Sequence, residues 1–315
     1  MDGITLIIVS VVALLTVILL ALRHGSIASP GSGLPVLVRY SRDLTRMARL
    51  NQLDPVIGRQ SEIAQVVQIL SRRNKNNPVL IGAAGVGKTA LAEGLALAII
   101  ARQVPPTLYN KRVLALDLPG ILAGTKYRGE FEQRLKKVTE EIVSSKRTII
   151  LFIDEIHILA EAGDAEGAIN AADILKPLLA RGDLQVVGAT TPEEYLEFIK
   201  KDKTLDRRLH PVFVSEPTPA QTRQILDGIK GTYETYHDVT ISAAALDAAV
   251  SVTRTLAGRS YPDKAIDAID EACSKVHIDH INRKKTQSKK SRVAAKLSVS
   301  ANDVKQVVAS WKHQQ

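Results

Sequence analysis

The chain has 315 residues, enough for a membrane segment and about two packed units. Aromatics are scarce at 4% while aliphatics are plentiful, the balance of a helix-rich α/β protein. One cysteine, Cys273, excludes an intrachain disulfide and a thiolate metal cluster, and the formal charge of +9 has to be located along the chain before it can be interpreted.

Ile4 to Leu22 is apolar except for Thr5, Ser10 and Thr16. At about 1.5 Å per residue the run is about 28 Å long, close to the hydrocarbon thickness of a bilayer, so a transmembrane helix is predicted over residues 1–24. A cleaved signal peptide is the rival reading. It wants a positive start and a shorter core, whereas this chain opens Met1-Asp2-Gly3 and offers only Ser26-Ile27-Ala28 as a weak cleavage site. Arg23, Arg39, Arg42, Arg46 and Arg49 then stand against Asp43 alone. That bias puts the remainder of the chain on the cytoplasmic side of a single-pass membrane protein. Residues 25–52 read as a tether, Gly25 to Pro35, followed by an amphipathic segment from Tyr40.

Asp54 to Arg59 is a turn leading into a helix over Ser61 to Arg73, with Ser61 as its expected cap. The stretch Gly82-Ala83-Ala84-Gly85-Val86-Gly87-Lys88-Thr89 fits a phosphate-binding loop, with the strand Pro78 to Ile81 before it and a helix from Thr89 through Ala90 to about Gln103 after it. The glycines let several N–H groups curl toward a phosphate, and the helix N-terminus adds partial positive charge. Lys88 would reach the β- and γ-phosphates of ATP, and Thr89 would offer its hydroxyl to Mg²⁺.

Strands are predicted at Arg112 to Leu116, Thr148 to Ile153, Leu184 to Gly188 and Val212 to Val214, with helices at Phe131 to Ser144 and Gly167 to Ala180. Strands alternating with helices imply a parallel sheet between helical layers. Ile149 to Ile153 ends in Asp154-Glu155, two carboxylates delivered to the sheet edge. Asp154 would help hold Mg²⁺, and Glu155 would orient and deprotonate the attacking water. Gly188-Ala189-Thr190-Thr191 offers polar groups at the end of the next strand. Arg207 and Arg208 carry charge of the kind that stabilises a transferring phosphoryl group, although a surface salt bridge is the plainer reading of the pair.

Beyond Thr218 only helices are predicted: Ala220 to Thr232, Ser242 to Ala257, Pro262 to about Asp279, and Ser300 to Trp311. The boundaries are therefore an α/β domain over 53–216 and a helical domain over 217–315. Between Asp279 and Asp303 there is no acidic residue, and seven basic ones crowd the loop 283–296. A solvated loop is the plainer reading, and contact with anionic lipid or nucleic acid the sharper one. Nucleic acid is not an expected partner, because no aromatic residue interleaves the charges.

Leu53 to Arg59, Lys75 to Gly82, Tyr127 to Glu132, Leu175-Lys176-Pro177 through Thr191, and Tyr261 to Asp267 resemble the first ATPase module of the ClpB and ClpC branch of AAA+ proteins. The resemblance runs from about Tyr40 to Trp311. It implies that Val56 and Ile57 line an adenine pocket, that Gly82 through Ala90 and Asp154 form the Walker A and B elements, and that Thr191 is sensor 1. It implies Arg207 and Arg208 as fingers acting on a neighbouring subunit, hence a ring, usually a hexamer. Asp263 and Lys264 would lie in the lid near the nucleotide. Lys126, Tyr127, Arg128 and Gly129 would form a pore loop gripping a polypeptide client, with Glu161 to Gly167 as a second one.

Several features depart from that pattern. Relatives carry an N-terminal substrate domain where this chain has the apolar run, a coiled-coil insertion where it has the basic loop, and a second ATPase module beyond the point where it stops. Co-chaperone disaggregation and peptidase docking are therefore not expected. Ala83-Ala84 stands for a usual Glu-Pro and Leu209 for a usual Phe. The expected protein is a membrane-anchored ATPase ring that unfolds or remodels proteins. The competing reading is a nucleotide-gated assembly protein that hydrolyses ATP without threading polypeptide.

Overall fold

Short apolar runs that bury both of their faces build the centre of the computed structural model, which describes residues 34–123, 128–158, 171–286 and 297–312. Six strands form one sheet: β1 (Ser41–Asp43), β2 (Asn77–Ile81), β3 (Arg112–Leu116), β4 (Ile149–Ile153), β5 (Val186–Thr190) and β6 (Leu209–Phe213). Their order is β1-β3-β4-β5-β2-β6. All neighbours run parallel except β1, which is antiparallel to β3. Residues of β4 alternate between two cores. Ile149, Leu151 and Ile153 join Val79 and Ile81 on one face, and Ile150 and Phe152 join Leu80 and Val187 on the other. Each fully buried aliphatic contributes about 1.5–3 kcal/mol, which is why these strands read as continuous apolar runs rather than alternating ones.

The layers over the sheet are α1 (Pro35–Arg39), α2 (Leu44–Arg49), α3 (Gln60–Leu70), α4 (Lys88–Ile100), α5 (Arg128–Ser144) and α6 (Ala171–Arg181). The strand order brings the C-terminal ends of β2, β4 and β5 side by side, with Ile81 opposite Thr190 and Ile153 opposite Gly188. Open α/β sheets place ligands at such a reversal in strand order.

A separate core belongs to the C-terminal unit. It is built by α7 (Pro219–His237), α8 (Ala243–Thr253), α9 (Asp263–Thr286) and α10 (Ala301–Lys312). Leu226, Leu246, Ile269 and Val304 pack together there. Thr218 and Gln221 close a capping box on α7, and Ser242 caps α8.

Several expectations change. The C-terminal unit is not purely helical: β7 (Val239–Ile241) and β8 (Leu297–Val299) pair in parallel. Each has three residues and its partner is distant in sequence, so neither carries a periodic signal of its own. Helix α3 starts at Gln60 with Arg59 at the cap position, and the Ser61 hydroxyl donates to Glu62 Oε2 instead. Residues 40–52 are not merely amphipathic: β1 joins the sheet and Leu44 and Ala48 of α2 enter the core.

The single-pass membrane placement, with the ATPase domain on its cytoplasmic side, does not stand. Among the described residues no helix is long and apolar enough to cross a membrane. The most apolar long helix, α4, has 13 residues, and the longest, α9, carries charged side chains along its length. The run Ile4 to Leu22 itself lies outside the described residues, as do the segments 124–127 and 159–170 and residues 287–296 of the expected basic loop 283–296, whose first four residues instead end α9.

Asp43 ties β1 and α2 to the sheet. Its carboxylate accepts from Arg46 N–H at 2.9 Å, Thr45 Oγ1 at 2.7 Å and Arg112 Nη2 at 2.8 Å. Thr45 Oγ1 in turn accepts from the buried N–H of Val113. Burial pushes this carboxyl up, but the hydrogen bonds from Arg46, Thr45 and Arg112 and the charge of Arg112 together hold it below 3.8. A depressed folded-state value stabilises the fold above the unfolded carboxyl's pKa, and that contribution is lost as pH falls through the folded value. Asp43→Ala should cost about 2 kcal/mol at pH 7. In urea unfolding the gap from the parent should narrow as pH is lowered below about 4.

Candidate nucleotide-binding site

The phosphate loop follows β2 directly. Gly85 has φ of +78° and Gly87 of +96°, the left-handed backbone that turns the chain into α4. Val86 is buried in the core, which anchors the loop from below. Gly82 is packed so closely that a Cβ there would stand 2.5 Å from the Val214 carbonyl oxygen. Lys88 Nζ folds back to donate to Gly82 O at 2.7 Å and Ala83 O at 3.0 Å. Partial burial lowers the pKa of Lys88, and the carboxylates of Asp154, Glu194 and Glu155 counter it. A cation so placed gains from an additional anion over the loop.

Thr89 lies in the first turn of α4, and its hydroxyl donates to Asp154 Oδ2 at 3.3 Å. Asp154 and Glu155 are both exposed beyond the end of β4. Glu155 has φ of +52°, a strained backbone for a residue that is not glycine. Its N–H donates to Asp154 Oδ1. The donor set for a divalent cation is therefore one hydroxyl and one carboxylate, all oxygen. That suits Mg²⁺, which takes one or two carboxylates and completes its shell with water and phosphate oxygens. Among the described residues no three His, Cys, Asp or Glu side chains form an all-protein metal cage.

The lid reaches the same place. Asp263, first residue of α9, lies against the loop: a Cβ on Gly85 would stand 2.8 Å from Asp263 Cβ. Burial and the neighbouring Asp267 raise the Asp263 pKa, against the pull of Arg259. Lys264 points elsewhere. It is buried, with Nζ 4.2 Å from the centre of the Tyr261 ring and 3.8 Å from Glu216 Oε1. Val56 and Ile57 are half-buried. Val56 packs at Gly94 of α4 and Ile57 at Gly228 of α7, so the pair spans the two units.

Thr191 caps the turn after β5, accepting from Glu194 N–H in a capping box. Arg207 and Arg208 are not in this cluster. They precede Leu209, which is level with Asn77 at the start of β2. The length of β2, roughly 13 Å, separates them from the loop of their own chain. Neither guanidinium hydrogen-bonds or ion-pairs among the described residues. Lys126 and Tyr127 lie outside the described residues, as does the second expected pore segment. Arg128 and Gly129 open α5, where Gly129 is exposed.

Sequence reasoning assigned no role to Arg59. It is 7% exposed, and it donates to Val86 O at 2.8 Å, Ser215 O at 3.0 Å and Glu62 Oε1 at 2.8 Å. Its place in the stretch Leu53 to Arg59 was the available signal. His157 and Glu194, joined at 3.1 Å, were also passed over.

A phosphate loop on a parallel sheet, an Asp-Glu pair at the adjoining strand end and a helical lid define a P-loop ATPase of the AAA+ class. The profile of the ATPase family associated with various cellular activities (AAA) matches residues 78–207, and that of the AAA lid domain matches 218–315. The chain is 58% identical over 245 residues to the chaperone protein ClpB of Oceanobacillus iheyensis, covering 78% of this chain and 30% of that one. It is 56% identical over 252 residues to the Clp protease ATP-binding subunit ClpC of Staphylococcus aureus, covering 80% and 31%. Among solved structures, the S. cerevisiae Hsp104–ADP complex matches with a TM-score of 0.77 at 40% identity, covering 88% of this chain and 45% of that one. The extended Hsp104–casein complex matches at 0.74 and 41%, over 88% and 45%. The chain belongs to the Clp/Hsp100 family of AAA+ ATPases and is similar to the ClpB and ClpC first module; it spans about a third of the length of those curated relatives.

Removing Arg59 would strand two carbonyls and the half-buried Glu62. Arg59→Ala should destabilise by about 2–4 kcal/mol in urea unfolding. Arg59→Lys should recover only part of this, because a single ammonium cannot span three acceptors held apart by the fork.

Proposed function

We propose that this module binds ATP with Mg²⁺ at the C-terminal edge of its sheet and hydrolyses it within a homo-oligomeric ring, six-membered by family resemblance. The ring would use the cycle to unfold or remodel a polypeptide client. The observation that carries the reading is the convergence of Lys88, the Thr89–Asp154 pair, the strained Glu155 and the lid's Asp263 on one loop.

In this reading the N–H groups from Gly82 to Ala90 and the Lys88 ammonium hold the phosphates, while Val56 and Ile57 face the adenine. Asp263 brings the lid against the loop, and Lys264 steadies the hinge through Glu216 and Tyr261. Thr89 and Asp154 would hold Mg²⁺, which when bound would supply charge neutralisation. Glu155 takes a proton from the attacking water as its oxygen bonds to the γ-phosphorus and the bond to the ADP oxygen breaks. Thr191 stands at the adjoining strand end, beside the path of that water. Arg207 and Arg208 lie at the opposite sheet edge, so a neighbouring copy would supply them.

Two structures of one relative support the nucleotide and the client: Hsp104 has been solved with ADP and with casein. Lys126 to Gly129 is the segment proposed to grip the polypeptide, by resemblance.

Glu155→Gln should cut turnover by about 10²–10⁴-fold while nucleotide binding persists. Arg207→Ala/Arg208→Ala should be comparably slow alone. Mixing it with Lys88→Ala chains, which have intact arginines but a defective loop, should restore turnover; no recovery would overturn action between subunits. Unfolded casein should accelerate the parent and leave Tyr127→Ala unaffected. Turnover indifferent to casein in both would favour a nucleotide-gated assembly protein.

A further inference from the structure

We infer that His157 and Glu194 are positioning residues for hydrolysis, fastening the turn that carries Glu155 to the strand end that carries Thr191. The inference rests on the reading of Glu155 as the general base. It starts from a buried polar cluster that phosphate binding does not require.

The turn after β4 runs from Asp154 to His157. Glu155 holds a strained backbone at its crest. A left-handed conformation at a glutamate persists only where its surroundings impose it. Three contacts to the end of β5 do so. The Ile156 N–H donates to Ala189 O at 2.9 Å. The Ile156 side chain fills the space over Gly188, where a Cβ would stand 2.5 Å from its Cδ1. His157, 8% exposed, reaches Glu194 Oε2 at 3.1 Å and Thr190 Oγ1 at 3.3 Å through Nδ1.

Glu194 is the hub on the other side. Its Oε2 also accepts from Thr190 Oγ1 at 3.0 Å and from the Thr191 N–H at 2.9 Å. Its own N–H donates to Thr191 Oγ1, which fixes the oxygen of that hydroxyl. The Thr190 hydroxyl gives its hydrogen to Glu194, so its oxygen accepts from His157 and Nδ1 carries the hydrogen. The imidazole is held from the far side by Phe198, with ring centroids 6.0 Å apart and planes at 30°. Two segments 36 positions apart in sequence (Glu155 and Thr191) are thus locked in register by one imidazole and one carboxylate. Neither group hydrogen-bonds to the phosphate loop among the described residues, and a carboxylate repels phosphate. Their effect runs through the placement of Glu155 and Thr191, and a displacement of about 1 Å at a reacting group can cost roughly 10²-fold in rate.

The test uses the full chain and follows kcat and KM for ATP, ADP affinity, and amide exchange without nucleotide. His157→Ala and Glu194→Ala should each lower kcat by roughly 10–10²-fold with KM and ADP affinity unchanged. The double variant should be no slower than either single one, because both break the same link. His157→Asn, whose side-chain N–H takes the place of Nδ1, should recover much of the rate. The amides of Ile156 and Thr191 should exchange faster in His157→Ala than in His157→Asn. If His157→Ala does not fold, Glu194→Ala carries the test, since that carboxylate is only partly buried. A folded His157→Ala or Glu194→Ala with parental kcat would overturn the inference. So would kcat and ADP affinity falling together with no recovery in His157→Asn. Glu155→Gln is run alongside. If it is inactive while His157→Ala is active, only the positioning role fails. If it turns over like the parent, the base assignment fails and this inference falls with it.

Discussion

One buried guanidinium joins the parts on which the site depends. Arg59 donates to the carbonyl of Val86 inside the phosphate loop and to that of Ser215 at the passage into the lid, while Glu62 balances its charge. A phosphate loop exposes its N–H groups on one side and so presents carbonyls on the other. Those carbonyls need donors, and within the fold a planar, permanently charged fork can serve two at once. The loop's shape and the lid's point of departure are thereby set by the same side chain. Asp263 closes the arrangement from the lid side, against Gly85.

The sheet contributes rigidity of a different kind. With both faces buried, the ends of β2, β4 and β5 cannot slide without exposing aliphatic side chains on one face or the other. The reactive groups all hang from those ends, so packing tens of atoms away defines their separation. Where packing alone leaves freedom, at the turns beyond the strands, polar links take over: Thr89 to Asp154, Ile156 to Ala189, His157 to Glu194.

What was legible in the sequence is what local pattern encodes. The phosphate loop, its flanking strand and helix, and the Asp-Glu pair each occupy one contiguous stretch, and periodicity places the four following strands within a few residues. Arg59 escaped because its acceptors lie 27 and 156 positions away. The His157–Glu194 link and the β7–β8 pair are non-local in the same way, and a three-residue strand such as Val239–Ile241 has no period to detect. Hydropathy supported a membrane placement that no described helix sustains. The edge strand β1 was hidden by its arginine-rich neighbourhood, although Arg112 and Asp43 form an ion pair across it.

The separation of Arg207 and Arg208 from the loop has a consequence for symmetry. The arginines stand at the start of β6 and the loop at the end of β2, strands that run side by side in the same direction. A contact that brought one copy's arginines to another's loop would be head-to-tail where the two face different ways. Two copies related by a two-fold axis form it reciprocally only where both groups lie in one patch. Such contacts either return on themselves after a fixed number of copies or continue as a helix. In a head-to-tail arrangement a pair would leave one set of arginines and one loop unmatched.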